Sequence, residues 1–201
     1  PSAGVEITPV CPADIALTQC TNVSYTTPGI KKFVYTANYT LPSTSTFWRF
    51  LFTGQLSTGF IAGRALSITN ISTSPLTVTQ LVDTLNNSVT HNSSPTLTNV
   101  PTPFFCLANA DNYNPGAVDA DGDSLIFSLV PGQNGTTTST PGGLVTYLPG
   151  YSATSPLAVT SMSFDVHTGQ ISFFPNITQR SLVVYNIREY RAGAFMGTSQ
   201  R

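Results

Sequence analysis

Apolar and polar positions alternate with a period of two along much of this chain. Over residues 33–41, Phe33, Tyr35, Ala37, Tyr39 and Leu41 fall on one face, and Pro42 and Ser43 end the run. Extended backbone points successive side chains to opposite sides, so this period predicts a half-buried strand. Residues 47–52 form a denser aromatic run that stops at Gly54, residues 64–71 alternate again, and residues 76–81 follow. The first half therefore predicts a meander or Greek key of short strands. Residues 86–103 break the pattern, being polar and rich in Pro, Ser, Thr and Asn, as a linker or long crossover is.

The second half opens with Phe104, Phe105, Cys106 and Leu107, and a strand is predicted over 125–130. Residues 132–143 are a Gly/Thr/Pro-rich loop. Residues 162–166 and 170–174 flank His167-Thr168-Gly169, which predicts a hairpin with Gly at its turn. Residues 181–190 are apolar on both faces and predict a central strand; Arg191-Ala192-Gly193 then turns the chain into 194–198. The pattern as a whole predicts an all-β protein of two antiparallel β-sandwich modules in tandem, 1–100 and 101–201.

Composition agrees with strands and narrows the partners. Fifteen Gly and fifteen Pro are spread along the chain, leaving little room for long helices. Charged residues make up 8%, against the quarter or so of an average soluble domain, so Thr, Ser and Asn supply the polar surface. The net charge of −1 provides no electrostatic footprint for nucleic acid. No apolar stretch is long enough to embed a helix in a membrane. No signal-peptide pattern is visible, and a start at Pro1 reads as a processed product or an excised fragment.

Three cysteines are present. A disulfide between Cys11 and Cys20, closing a small loop, is the first choice; pairing of either with Cys106 is the alternative. Zinc is not expected, because there is no Cys-x2-Cys pair and His91 and His167 are isolated in sequence.

Four of the nine acidic residues fall between Asp111 and Asp123, three of them as Asp119-Ala120-Asp121-Gly122-Asp123. Carboxylates this close repel one another, and a hard cation such as Ca²⁺, which takes six to eight oxygen ligands, relieves that. The spacing is not that of an EF-hand: Gly122 is fourth from Asp119 and no Glu is twelfth. Further oxygens are available from Asn112, Asn114, Asp165 and Glu189. The alternative is a solvated turn, since Asp and Gly are ordinary turn residues.

Catalytic patterns are lacking. There is no Gly-x-Ser-x-Gly elbow, P-loop or His-Glu-x-x-His, and carboxylates on one turn cannot face each other across a substrate, so an enzyme is not expected. Seven Asn-x-Ser/Thr sequons occur, at Asn22, Asn38, Asn70, Asn86, Asn92, Asn134 and Asn176, in a composition that favours them. Most aromatics fall at strand period and read as core. Tyr147 and Tyr151 lie in a Pro/Gly-containing loop and are the candidates for an exposed, glycan-binding surface.

The run Asn114-x-Gly116-Ala117-x-Asp119-x-Asp121-Gly122-Asp123-Ser124-Leu125 with Phe127-Ser128-Leu129 resembles the cadherin-like and dystroglycan-type modules of bacterial surface proteins. Phe164-Asp165-x-x-Thr168-Gly169-x-Ile171-Ser172-Phe173 is similar to their later hairpin, and Glu189-Tyr190-Arg191-x-Gly193 with Gly197-Thr198 and Arg201 extends the likeness. The whole chain, through Tyr35, Leu41, Trp48, Arg64, 68–71, 84–87, Pro101, Pro103 and 148–151, looks like the repeated ectodomain of Bacteroidota gliding-associated or adhesin-like proteins exported by type IX secretion. Where that family often carries a Cys-Cys pair, this chain has Ala62 and Gly63, so no disulfide pairing carries over.

The resemblance implies Ig-like or cadherin-like sandwiches on the outside of a bacterial cell, with a structural or adhesive role. Neighbouring modules or subunits of the same surface protein, and surface glycans, are its implied partners. The alternative is a carbohydrate-binding module of a secreted surface protein. The likeness also implies O-glycosylation at Thr84 and Ser124, which stand in Asp-Ser/Thr-aliphatic contexts. In that family a further Asp-containing strand follows the final Arg, so the second module is expected to lack its last strand here. A neighbouring subunit or the next segment would complete the sheet by strand addition.

Overall fold

The computed structural model describes residues 4–53, 68–72, 80–89, 91–100, 104–134 and 143–201. The fold is nearly all β, with antiparallel pairing between every pair of named strands. Contacts divide the chain into two compact units, one of Pro1–Ser43 with Asn99–Phe105, the other of Thr44–Thr98 with Cys106–Arg201.

The smaller unit has a short ladder between β1 (Val5–Glu6) and β2 (Lys31–Lys32) and a 3₁₀ turn over Pro12–Leu17. Its polar centre is Glu6, whose carboxylate accepts hydrogen bonds from the hydroxyls of Thr8 and of fully buried Thr18. The strand predicted over 33–41 is not formed. The ladder ends at Lys32, and Tyr35 and Tyr39 are exposed. A period of two reports a preference for extended backbone, whereas a strand also needs a neighbouring edge, which is not written locally.

The expected disulfide is also absent. Cys11 and Cys106 are exposed and free, and Cys20 is half-buried and free. The Cys20 sulfur sits tight over Gly29, where an added Cβ would meet it at 2.5 Å, and burial together with nearby Glu6 raises its pKa.

In the larger unit, β3 (Trp48–Thr53), β4 (Gln80–Leu85), β8 (Ser124–Leu129), β9 (Gln133–Asn134), β10 (Gly143–Leu144), β13 (Tyr185–Arg191) and β14 (Ala194–Gln200) make one sheet. Its order is β10-β9-β4-β14-β13-β8, with β3 on β4. A second sheet runs β11-β12-β6, from Val159–Phe164, Ile171–Pro175 and Asp111–Tyr113. A two-strand ladder joins β5 (Thr96–Leu97) to β7 (Ala117–Val118).

The two larger sheets meet through Tyr185 of β13. Its ring centroid lies 6.3 Å from that of Tyr113 on β6 and 6.0 Å from that of Phe164 on β11. Phe127, Leu129, Ile171, Phe173 and Ile187 are buried in the same unit. A satellite cluster of Ile71 and Val145 is packed by Ile68, Tyr147 and Leu182.

Two hairpins follow directly from sequence. In β11–β12 the Asp165 carboxylate accepts the N–H groups of His167 (2.8 Å) and Thr168 (3.1 Å). Those bonds hold its pKa below the usual range. Gly169 has φ +72 and lies so close to the Phe127 ring that a Cβ would approach it to 2.6 Å. In β13–β14, Ala192 (φ 47) and Gly193 (φ 83) form the two left-handed positions of a type I′ turn. As the pattern predicts, β13 is central, flanked by β14 and β8.

The units do not divide at residue 100. The first-half strands β3 and β4 belong to the same sheet as the last hairpin, because β4 pairs with β14. The described part of the predicted linker, 86–89 and 91–100, is accordingly more than a linker: β5 is a strand, and Thr98 donates through both its N–H (3.0 Å) and its hydroxyl (2.9 Å) to the carbonyl of Gly116. The strand predictions at 64–67 and 76–79, and loop residues 135–142, lie outside the described residues.

Candidate metal centre

The acidic turn connects β7 to β8. Asp119 shapes it by accepting the N–H groups of Asp121 (2.9 Å) and Asp123 (3.0 Å) on Oδ1, and Gly122 provides the positive φ of +79. The other oxygen of Asp119, Oδ2, is buried and has no hydrogen-bond partner. Asp123, at the mouth of β8, is buried and gripped in two-pronged fashion by Arg191. Nε lies 2.6 Å from Oδ1 and Nη2 2.9 Å from Oδ2.

Asp121 turns to a different set of partners. Its Oδ2 accepts the N–H of Ser93 at 2.6 Å and lies 3.6 Å from Arg191 Nη2. Arg191 also donates to the carbonyl of His91 at 3.0 Å and to Asn92 Oδ1 at 3.4 Å. His91 holds a left-handed φ of 55. The segment predicted as a linker is thus strapped over the acidic turn by one guanidinium.

The third member of the site comes from β13. Glu189 pairs with Gly197 on β14 and Leu125 on β8, and it has no exposed surface. Neither of its carboxylate oxygens has a hydrogen-bond partner. One oxygen each from Asp119, Asp123 and Glu189 lie within 4.8 Å of one another. Burial, followed by the charges of Asp119, Asp123, Asp83 and Asp121, pushes the Glu189 pKa up to about 8. A buried carboxylate without hydrogen bonds beside two others is costly unless it is protonated or a cation neutralises it. The triad has the oxygen-only donor set of a hard-metal site. An open groove lined by Asn114, Asp119, Asp123, His167 and Thr168 runs alongside and provides an approach from solvent.

Of the oxygens read from sequence, Asp119, Asp123 and Glu189 are in this triad. Asp121 instead serves the Arg191 strap. Asn114 is occupied in a turn, accepting the N–H of Gly116 (2.7 Å) and donating to the carbonyl of Thr168 (3.1 Å). Asp165 is occupied in capping its hairpin. Glu189, read from sequence as a further oxygen donor, is brought to the turn by the β8–β13 register.

The other candidate residues scatter. Tyr147 bridges to Ile71 and packs on the Ile71–Val145 cluster, and Tyr151 is half-buried, its N–H donating to the carbonyl of Leu148. Thr84 is buried, with its hydroxyl 2.9 Å from that of Thr198 and accepting the Thr198 N–H, which leaves no room for a sugar. Ser124 is exposed at the start of β8. Among the sequons, Asn70 and Asn86 are buried; Asn70 is tied to Pro156 and Leu182.

Comparison with protein-family models, curated proteins and solved structures returns no match. Among the described residues, no helix is long and apolar enough to cross a membrane.

Proposed function

We propose that this chain is a non-enzymatic structural building block of a bacterial cell-surface adhesin or filament, in which Ca²⁺ stiffens an Ig-like or cadherin-like sandwich. The observation that carries the reading is Glu189, a fully buried carboxylate without a hydrogen bond, facing Asp119 and Asp123. The three oxygen ligands, with no His or Cys among them, suit Ca²⁺ rather than zinc or copper. The sequence resemblance to surface modules supports export, and neighbouring modules or subunits of the same protein are its partners.

In this role, the cation joins a turn to the central strand, so the sheet end is held without a large charged surface. Arg191 holds Asp123 in place through both carboxylate oxygens. A metal that binds only the folded chain stabilises it by mass action, by about 2.7 kcal/mol at a hundredfold excess over Kd. Thermal melting of the metal-stripped protein, with and without added Ca²⁺, tests this. The expected rise is roughly 5–10 °C for a unit of this size, absent in Asp123→Asn. Identical melting temperatures with and without Ca²⁺ would overturn the reading.

A further inference from the structure

The triad offers three protein oxygens, whereas Ca²⁺ takes six to eight. One main-chain oxygen lies close to Glu189. On β14, Gly197 pairs with Glu189 of β13 on one side and with Leu85 of β4 on the other. A Cβ on Gly197 would collide with the carbonyl oxygen of Thr84 and would lie 3.4 Å from Oε1 of Glu189. A main-chain oxygen from a first-half strand and the buried carboxylate of the central strand therefore converge above the one residue there that lacks a side chain.

Side chains reinforce the ladder at this point: the Thr84 hydroxyl accepts the Thr198 N–H at 2.9 Å. The β4–β14 ladder is short among the described residues: two residue pairs, Gly197 with Leu85 and Thr198 with Thr84, against six between β3 and β4. Other bonds add to it, from the Asn86 N–H to the carbonyl of Met196 (2.8 Å), from the Gln200 N–H to Asp83 Oδ1 (2.8 Å) and from the Val82 N–H to Gln200 Oε1 (3.2 Å), with Arg201 paired to Asp83.

We infer that the cation held by Asp119, Asp123 and Glu189 also takes the carbonyl oxygen of Thr84, and so locks β4, with β3 behind it, onto β14. This rests on the cation reading above. It makes metal occupancy an added clamp on the docking of β3 and β4 on β14. The sites of action are then distinct: Asp119 and Asp123 fix the turn, Glu189 fixes the central strand, and Thr84 fixes the incoming strand. Gly197 is needed because any side chain there would fill the space between the two oxygens.

Hydrogen exchange of the whole chain, metal-stripped and with Ca²⁺ alone as the probe, tests this. Amides of β12, in the other sheet, report the general stabilisation that any ligand of the folded state produces. The expected result is that β4 amides slow about tenfold more than those of β12 when Ca²⁺ is added. Calorimetric titration of Gly197→Ala is expected to show Ca²⁺ affinity reduced about tenfold or more. If that variant does not fold, the wild-type exchange decides alone. Slowing at the acidic turn and β13, with β4 no different from β12, would overturn the Thr84 lock and leave the cation site standing. Absence of any Ca²⁺ effect on exchange or melting would overturn both.

Discussion

Replacing Glu189 by Gln keeps the shape of the side chain and removes its charge, which isolates the electrostatic cost at the centre of the site. In the metal-free protein, the Glu189 pKa stands at about 8 against an ordinary value of 4.5. A carboxyl whose folded pKa is raised binds its proton more tightly in the folded state. Its stability contribution is complete below about pH 4.5 and is lost as pH rises towards 8. Each pKa unit corresponds to about 1.4 kcal/mol, so the wild type should lose up to about 4 kcal/mol from this group between pH 5 and pH 8. Gln does not titrate, so Glu189→Gln should lose less over that interval by the same amount. The buried amide has its own cost, but that cost is the same at both pH values and drops out of the comparison. Urea unfolding of both metal-stripped proteins at pH 5 and pH 8 measures the difference. With Ca²⁺ added, the wild type should recover its stability at pH 8 while the variant does not respond. Equal losses in the two proteins between pH 5 and pH 8 would refute the placement of Glu189 as a buried carboxylate among other acids.

Three further outcomes are expected from urea or thermal melts. Arg191→Met removes the two-pronged partner of buried Asp123 and should cost about 2–4 kcal/mol in the metal-stripped protein, with part of it restored by Ca²⁺. Ala192→Asn puts a residue that tolerates left-handed backbone at the first position of the β13–β14 turn and should stabilise by about 0.5–1 kcal/mol. Gly169→Ala meets both a positive φ and the Phe127 ring, and should destabilise by about 2–4 kcal/mol without changing the Ca²⁺ response.

Where an element closes on itself within a few residues, the sequence was sufficient. The hairpin around His167-Thr168-Gly169, the left-handed turn at Ala192-Gly193, the central strand after Val184 and the turn built by Asp119 are all written in adjacent residues. Each is stabilised by bonds that span only a few positions, as when Asp165 accepts from His167 and Thr168. The all-β class follows from the same local signals. Tertiary structure decided the pairing of distant segments. Residues 33–41 have the alternation of a strand and do not form one, while β3 and β4 join the sheet of the last hairpin across more than a hundred residues. The site depends on the same kind of choice. Asp119 and Asp123 are legible as an acidic turn, but their meeting with Glu189, the grip of Arg191 and the approach of the Thr84 carbonyl come from strand register. Register is selected by the burial of whole faces at once, and a shift of one residue would turn Glu189 to the opposite face of the sheet.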